Sequence, residues 1–138
     1  MTNVETQQVL ASMWEGDFFS QWLGLVVEEH REGYCRLHFV VRQEMLNGIG
    51  IAHGGVLFSA ADSAFAFAGN SHGKISVALD MSVSFITSVR VGEKIVMEAK
   101  EVHLSKRIGF YEIHGTNAQG KVVASFKGTA YRTDKDIL

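Results

Sequence analysis

Hydrophobic positions change period along the chain, and each change marks an element. Between residues 4 and 23, Val9, Leu10, Met13 and Trp14 share one face at helical spacing, which predicts a short amphipathic lead-in helix. Leu25 to Glu29 and Tyr34 to Val41 read as two strands around the turn Arg31-Glu32-Gly33. A polar, glycine-containing loop follows from Arg42 to His53. From Gly54 to Ala68 the chain is rich in alanine and apolar on nearly every side, the pattern of a buried helix, and it should stop near Gly69 to Gly73. The period then falls to two. Ile75, Val77, Leu79, Met81, Val83 and Phe85 alternate with Ser76, Ala78, Asp80, Ser82 and Ser84, which predicts a long strand with one covered face. Three more strands are predicted at 94–104, 107–116 and 121–132. The chain has no proline, so glycines do most of the punctuating.

This order of elements predicts an α+β fold, with an antiparallel β-sheet wrapped around one long central α-helix. Residues 1–138 form a single domain in this reading, residues 1–24 being the helical lead-in. Such a sheet leaves strand edges open, and pairing with a second copy would protect them. A homodimer is therefore expected on structural grounds alone.

Composition narrows the class. Hydrophobic residues make up 46% and charged residues 20%, the balance of a folded globular protein. A formal net charge of −2 argues against nucleic acid as a partner. No apolar run approaches a membrane span, and the N-terminus lacks the basic start and apolar core of a secretory signal, so a cytoplasmic protein with no membrane partner is expected. The single cysteine, Cys35, alternates with apolar neighbours and reads as a small buried hydrophobe. The six histidines are scattered without ligand spacing, so no metal site is expected.

Chemistry concentrates between Leu46 and Asp62. The sequence Leu46-Asn47-Gly48-Ile49-Gly50-Ile51-Ala52-His53-Gly54-Gly55 runs into the alanine-rich helix, and Asp62 stands in its middle. The N–H groups of Gly54 and Gly55 fall at a helix N-terminus, where they lack helical partners and gain from the dipole, an arrangement suited to an oxyanion. Asp62 is a carboxylate among Ala and Phe, where burial without a partner is expensive. It reads either as a reacting group or as a carboxylate satisfied by Ser59 or Ser63. His53 reads either as an acid–base group or as a cap bracing the loop, and Asn47 as a substrate contact or a turn residue.

The pattern LNGxGxxHGG, with Asp62 eight residues after Gly54, resembles hotdog-fold thioesterases of the phenylacetic-acid-degradation (PaaI-like) type. The resemblance covers nearly the whole chain. It implies hydrolysis of acyl-CoA thioesters, aryl ones such as phenylacetyl- or hydroxyphenylacetyl-CoA or medium-chain ones, with no cofactor beyond the coenzyme A of the substrate. By that resemblance Asp62 is nucleophile or general base, Gly54 with Gly55 polarises the thioester carbonyl, and Asn47 and His53 help hold the acyl end. Ser105, Lys106 and Arg107 form a turn where family members contact the nucleotide, and read otherwise as a solvated turn. Phe65, with Phe58, Met45 and Leu57, reads either as lining an acyl pocket or as core. A homodimer would be the minimal active unit, assembling into a homotetramer. Two departures stand out. The family usually carries a proline after its long strand, where this chain reads Phe85-Ile86-Thr87-Ser88-Val89-Arg90. Some relatives place Ser or Thr where Ala78 stands.

Helical rise adds a constraint: eight residues separate Gly54 from Asp62 by about 12 Å along the axis. Two groups acting on one carbonyl must both lie within roughly 3–3.5 Å of reacting atoms. The expectation is a composite site, with Gly54 from one chain and Asp62 from another. The rival readings are a hotdog dehydratase or hydratase, whose proline-rich loop or Asp-His pairing is absent here, and an acyl-CoA-binding sensor. A sensor of the regulatory kind would carry a DNA-binding segment, and only residues 1–24 precede the first strand.

Overall fold

A computed structural model describes all residues from 1 to 138. Two helices, α1 (Asn3–Gly16) and α2 (Phe18–Leu23), lead into β1 (Val26–Arg31) and β2 (Tyr34–Val40). A short 3-10 turn (Gln43–Met45) opens the motif loop. Then come α3 (Gly54–Gly69), β3 (Lys74–Phe85), β4 (Lys94–Leu104), β5 (Ile108–Thr116) and β6 (Val122–Asp136).

The predicted lead-in helix is in fact two. Asp17 ends α1 and begins α2, its Oδ1 accepting the Ser20 N–H at 3.0 Å as an N-cap. Val9 is fully buried, and Leu10, Met13 and Trp14 pack on the core as their spacing predicted.

All six strands form one antiparallel sheet in the order β1-β2-β4-β5-β6-β3. The sheet curls around α3, which touches every strand. Of the four strands after α3, only β4, β5 and β6 pair in sequence order as a meander. After β3 the chain crosses the end of the sheet through residues 86–93, so β4 pairs with β2, and β3 returns to the far edge against β6. The core fills the space between sheet and helix. Leu37, Phe39, Ile95, Met97, Ile113 and Phe126 come from the strands, and Ala60, Ala61, Ala64, Phe67 and Ala68 from α3. Small alanines let the backbone of α3 approach the sheet closely. Cys35 is buried, and burial pushes its thiol up to about 12, so it behaves as a hydrophobe. No helix is long and apolar enough to cross a membrane.

The face assignment of β3 needs correction. Val83 pairs with the buried Phe126 and Met81 with Gly128, so this half faces α3. A register shift between Ala78 and Asp80 leaves Leu79 unpaired as a bulge. One extra residue reverses which side each later residue faces. On the other side of the bulge it is Ala78 and Ser76 that face the helix, while Ile75 and Val77 turn outward. Ile75, Val77 and Leu79 are 37%, 52% and 56% exposed, so the covered face breaks at the bulge.

Candidate active site

Local chemistry builds the motif loop. The Asn47 Oδ1 accepts the N–H groups of Ile49 (3.0 Å) and Ile51 (3.3 Å), and its carbonyl accepts the Gly50 N–H at 3.1 Å. This Asx-type turn needs Gly50 at positive φ (82°). The loop closes when the His53 N–H donates to the Met45 carbonyl at 2.8 Å. Asn47 is therefore a turn residue through its oxygen, while its Nδ2 donors bond nothing within the chain.

His53 is the N-cap of α3. Its Nδ1 accepts the Gly55 N–H at 2.8 Å, so in the neutral ring the proton sits on Nε2. That bond corrects one expectation: the Gly55 amide is satisfied inside the chain. The Gly54 amide has no acceptor, and it is the free donor at this helix end. A cleft of about 260 Å³ opens there, lined by Asn47, Ile51, Gly54, Leu57, Phe85 and Thr87 among others. His53 does not line it.

Asp62 lies elsewhere. Its cleft, about 220 Å³, is lined by Phe65, Asn70, Ser76, Ala78 and Ala130 among others. The residue occupies the open stripe of α3, where Gly55 and Asp62 are exposed and Ser59 and Ala66 half-buried, rather than the buried side. The two serines that might have satisfied it are committed. Ser59 Oγ donates to the Gly55 carbonyl at 2.7 Å, and Ser63 Oγ bonds Ser20 Oγ at 2.8 Å. Asp62 has neither a hydrogen-bond nor an ion-pair partner in the chain. Burial against its apolar neighbours, and then the Asp17 carboxylate, hold its carboxyl above the ordinary value.

The remaining sequence-predicted residues divide. Phe65 is 2% exposed and packs on Tyr111 at 5.2 Å between ring centroids, so it is core with one edge on the Asp62 cleft. Ser105 Oγ donates to the Ile108 carbonyl and accepts the Ile108 N–H, closing the β4–β5 turn. Arg107 forms a two-pronged pair with Asp134 at 3.0 and 2.5 Å and also bonds the Arg132 carbonyl. Of this trio only Lys106 keeps its charged group unengaged.

Sequence reasoning missed Asp17 and Ser20. Their signal was present as an Asp three residues before a Ser at a helix start, but the distance from residue 20 to residue 63 hid its relevance.

Both clefts open along β3. Ser76 and Ala78 line the Asp62 cleft near the start of the strand, and Phe85 and Ile86 line the Gly54 cleft at its end. Within one chain the free Gly54 amide and the Asp62 carboxylate therefore occupy different clefts.

Comparison with known proteins gives the family and the fold. The family model of the thioesterase superfamily matches residues 49–124. A putative esterase of Archaeoglobus fulgidus is 39% identical over 131 residues, covering 95% of this chain and 85% of its own. The acyl-coenzyme A thioesterase PaaI of Escherichia coli is 37% identical over 121 residues, covering 88% and 86%. The structure of the E. coli PaaI protein, from the phenylacetic acid degradation operon, superposes with a TM-score of 0.95 at 34% identity and 99% coverage of both chains.

Proposed function

The chain belongs to the thioesterase superfamily, and from that premise we propose that it hydrolyses acyl-CoA thioesters to the free acid and coenzyme A. The observation that carries this reading is Asp62. It stands on the open stripe of α3 at the mouth of a cleft with apolar walls, and no group of its own chain engages its carboxylate, which leaves it available to react.

In the reaction we infer, the thioester carbonyl accepts the Gly54 N–H at the start of α3, with the helix dipole behind it. Asp62 either attacks the carbonyl carbon or takes a proton from an attacking water. Negative charge gathers on the carbonyl oxygen, the C–S bond breaks, and coenzyme A leaves as the thiolate. Where Asp62 attacks, water then hydrolyses the mixed anhydride and regenerates the carboxylate. Ala78 offers no hydroxyl to hold a water in the Asp62 cleft, whereas Ser76 in the same lining does, so both routes stand. Asn47 contributes its free Nδ2 donors to the acyl end, and His53 acts by holding the helix start.

The site is composite in this account. β3 is a twelve-residue edge strand with exposed apolar residues, the kind of edge a second copy covers. If two β3 strands pair antiparallel near their middle, the 85–86 end of one lies beside the 76–78 end of the other. That brings the Gly54 cleft of one chain against the Asp62 cleft of its partner, and the open stripe of α3 faces the same way. Two equivalent sites per homodimer result.

The acyl group we favour is aryl or medium-chain, since the Gly54 cleft is lined by Leu57, Phe85 and Ile86. The test is coenzyme A release, followed with a thiol reagent, from a panel of arylacetyl- and straight-chain acyl-CoAs. Wild type should turn over and Asp62→Asn should lose several orders of magnitude. Binding of acyl-CoA without release by wild type would instead indicate a sensor.

A further inference from the structure

One buried hydrogen-bond chain is not used by this mechanism, and it ends one residue from Asp62. Asp17 Oδ1 accepts the Ser20 N–H at 3.0 Å, and its Oδ2 bonds Ser20 Oγ at 2.6 Å. Ser20 Oγ in turn bonds Ser63 Oγ at 2.8 Å across the interface between α2 and α3. A carboxylate can only accept, so Ser20 gives its proton to Asp17 and must accept that of Ser63. The chain therefore has one direction, from Ser63 through Ser20 to Asp17. Ser20, at the centre of the chain, is 1% exposed, while Asp17 and Ser63 at its ends are half-buried.

The far end of α2 is also fixed. Arg42 donates to the Leu23 carbonyl at 3.0 Å and the Trp22 carbonyl at 2.9 Å, filling the acceptors that a helix C-terminus leaves unpaired. Arg42 leads directly into the 3-10 turn whose Met45 carbonyl receives the His53 N–H. A six-residue helix is thus tied at one end to the Asp62 helix and at the other to the Gly54 loop.

We propose that Asp17 is a positioning residue for Asp62: through Ser20 and Ser63 it docks α2 on α3, and it holds a second carboxylate two hydrogen bonds from Ser63, the residue next to the reacting one. This rests on the reading of Asp62 given above. The residues that line the Asp62 cleft include Phe65, Asn70, Ser76, Ala78 and Ala130, none of them charged. Asp17, from α2, is the ionisable neighbour that acts on Asp62, reinforcing what burial already does to its carboxyl. A carboxylate kept less acidic than usual is the stronger base and nucleophile, which gives this arrangement a use.

The experiment follows the Asp62 carboxyl directly by carbon NMR titration, its signal assigned by its loss in Asp62→Asn. Wild type, Asp17→Asn and Ser20→Ala are compared, together with the pH dependence of kcat/KM for coenzyme A release. Asn caps a helix as well as Asp does, so Asp17→Asn removes the charge without removing the cap. The expected result is an Asp62 midpoint at lower pH in Asp17→Asn, with the acid limb of the rate profile moving the same way. In Ser20→Ala, kcat should fall about tenfold or more with KM little changed, since an ångström of misplacement costs on the order of 10²-fold. An unmoved Asp62 midpoint in Asp17→Asn, or an unchanged kcat in Ser20→Ala, overturns the proposal. A midpoint that moves while the acid limb stays fixed upholds the effect of Asp17 on Asp62 and overturns Asp62 as the reacting group.

Discussion

Replacing Gly54 by proline isolates the amide on which the account relies. The Gly54 N–H is the one donor at the start of α3 without an acceptor in the chain, and proline deletes it. The helix should tolerate the change. Gly54 is the first helical residue, where proline is favoured, and His53 has φ −62° and ψ 135°, the extended conformation a residue before proline requires. The steric effect is also defined. A Cβ at position 54 would meet Phe85 Cζ at 3.0 Å and two further ring carbons at 3.4 Å. Gly54→Ala carries the same Cβ and keeps the N–H, which makes it the control. Loss of one oxyanion donor costs about 10²–10³ in kcat. Gly54→Pro should therefore fall about that far below Gly54→Ala, with thermal midpoints of the two close together. Steady-state coenzyme A release and thermal unfolding by circular dichroism measure both quantities. If Gly54→Pro turns over as fast as Gly54→Ala while both remain folded, the oxyanion is not bound at this amide.

Two further outcomes are expected. His53→Ala should destabilise the protein by about 1 kcal/mol through loss of the cap, lowering Tm by about 4 °C in a domain of this size. His53→Asn should restore Tm and most of the activity; a folded His53→Asn with no turnover would show that the imidazole itself touches substrate. His30 gives a pH dependence with a definite sign. Its Nε2 bonds the Phe67 carbonyl at 2.8 Å, its Nδ1 is buried with no partner, and burial lowers its pKa from the ordinary 6.5. Below 6.5 the unfolded chain binds a proton that the folded one refuses, so this contribution is full above 6.5 and declines as pH falls toward the folded value. Urea midpoints between pH 8 and pH 5 should decrease on acidification, and His30→Gln should flatten that slope; an unaltered slope contradicts the assignment.

Much of the fold was legible because its signals are local. The alanine-rich run from Gly54, the period-two strands and their glycine turns place α3 and all six strands within a few residues. What was missed depends on residues distant in sequence. Strand β6 extends to Asp136 because it continues to pair with the start of β3, ending at Lys74. The bulge at Leu79 leaves no trace in the alternation of Ile75, Val77 and Met81, since the apolar residues keep the same spacing while their face changes at the bulge. At the site, the motif pointed to Gly54, Asn47, His53 and Asp62, and the uncommitted groups among them are the Gly54 amide, the Asn47 Nδ2, the His53 Nε2 and the Asp62 carboxylate. The motif could not reveal that His53 consumes the Gly55 amide, because that bond depends on loop geometry. Nor could it reveal that Arg107 is held by Asp134, which is 27 residues away.

The most direct test of the central claim mixes two inactive chains. Asp62→Asn keeps its Gly54 amide, and Gly54→Pro keeps its Asp62 carboxylate. Unfolded together and refolded at equal concentration, they should regain about a quarter of wild-type activity, because half the dimers are mixed and each mixed dimer has one intact site. Activity no higher than the sum of the separately refolded mutants, with mixed dimers present by native mass spectrometry, would contradict a site shared between chains.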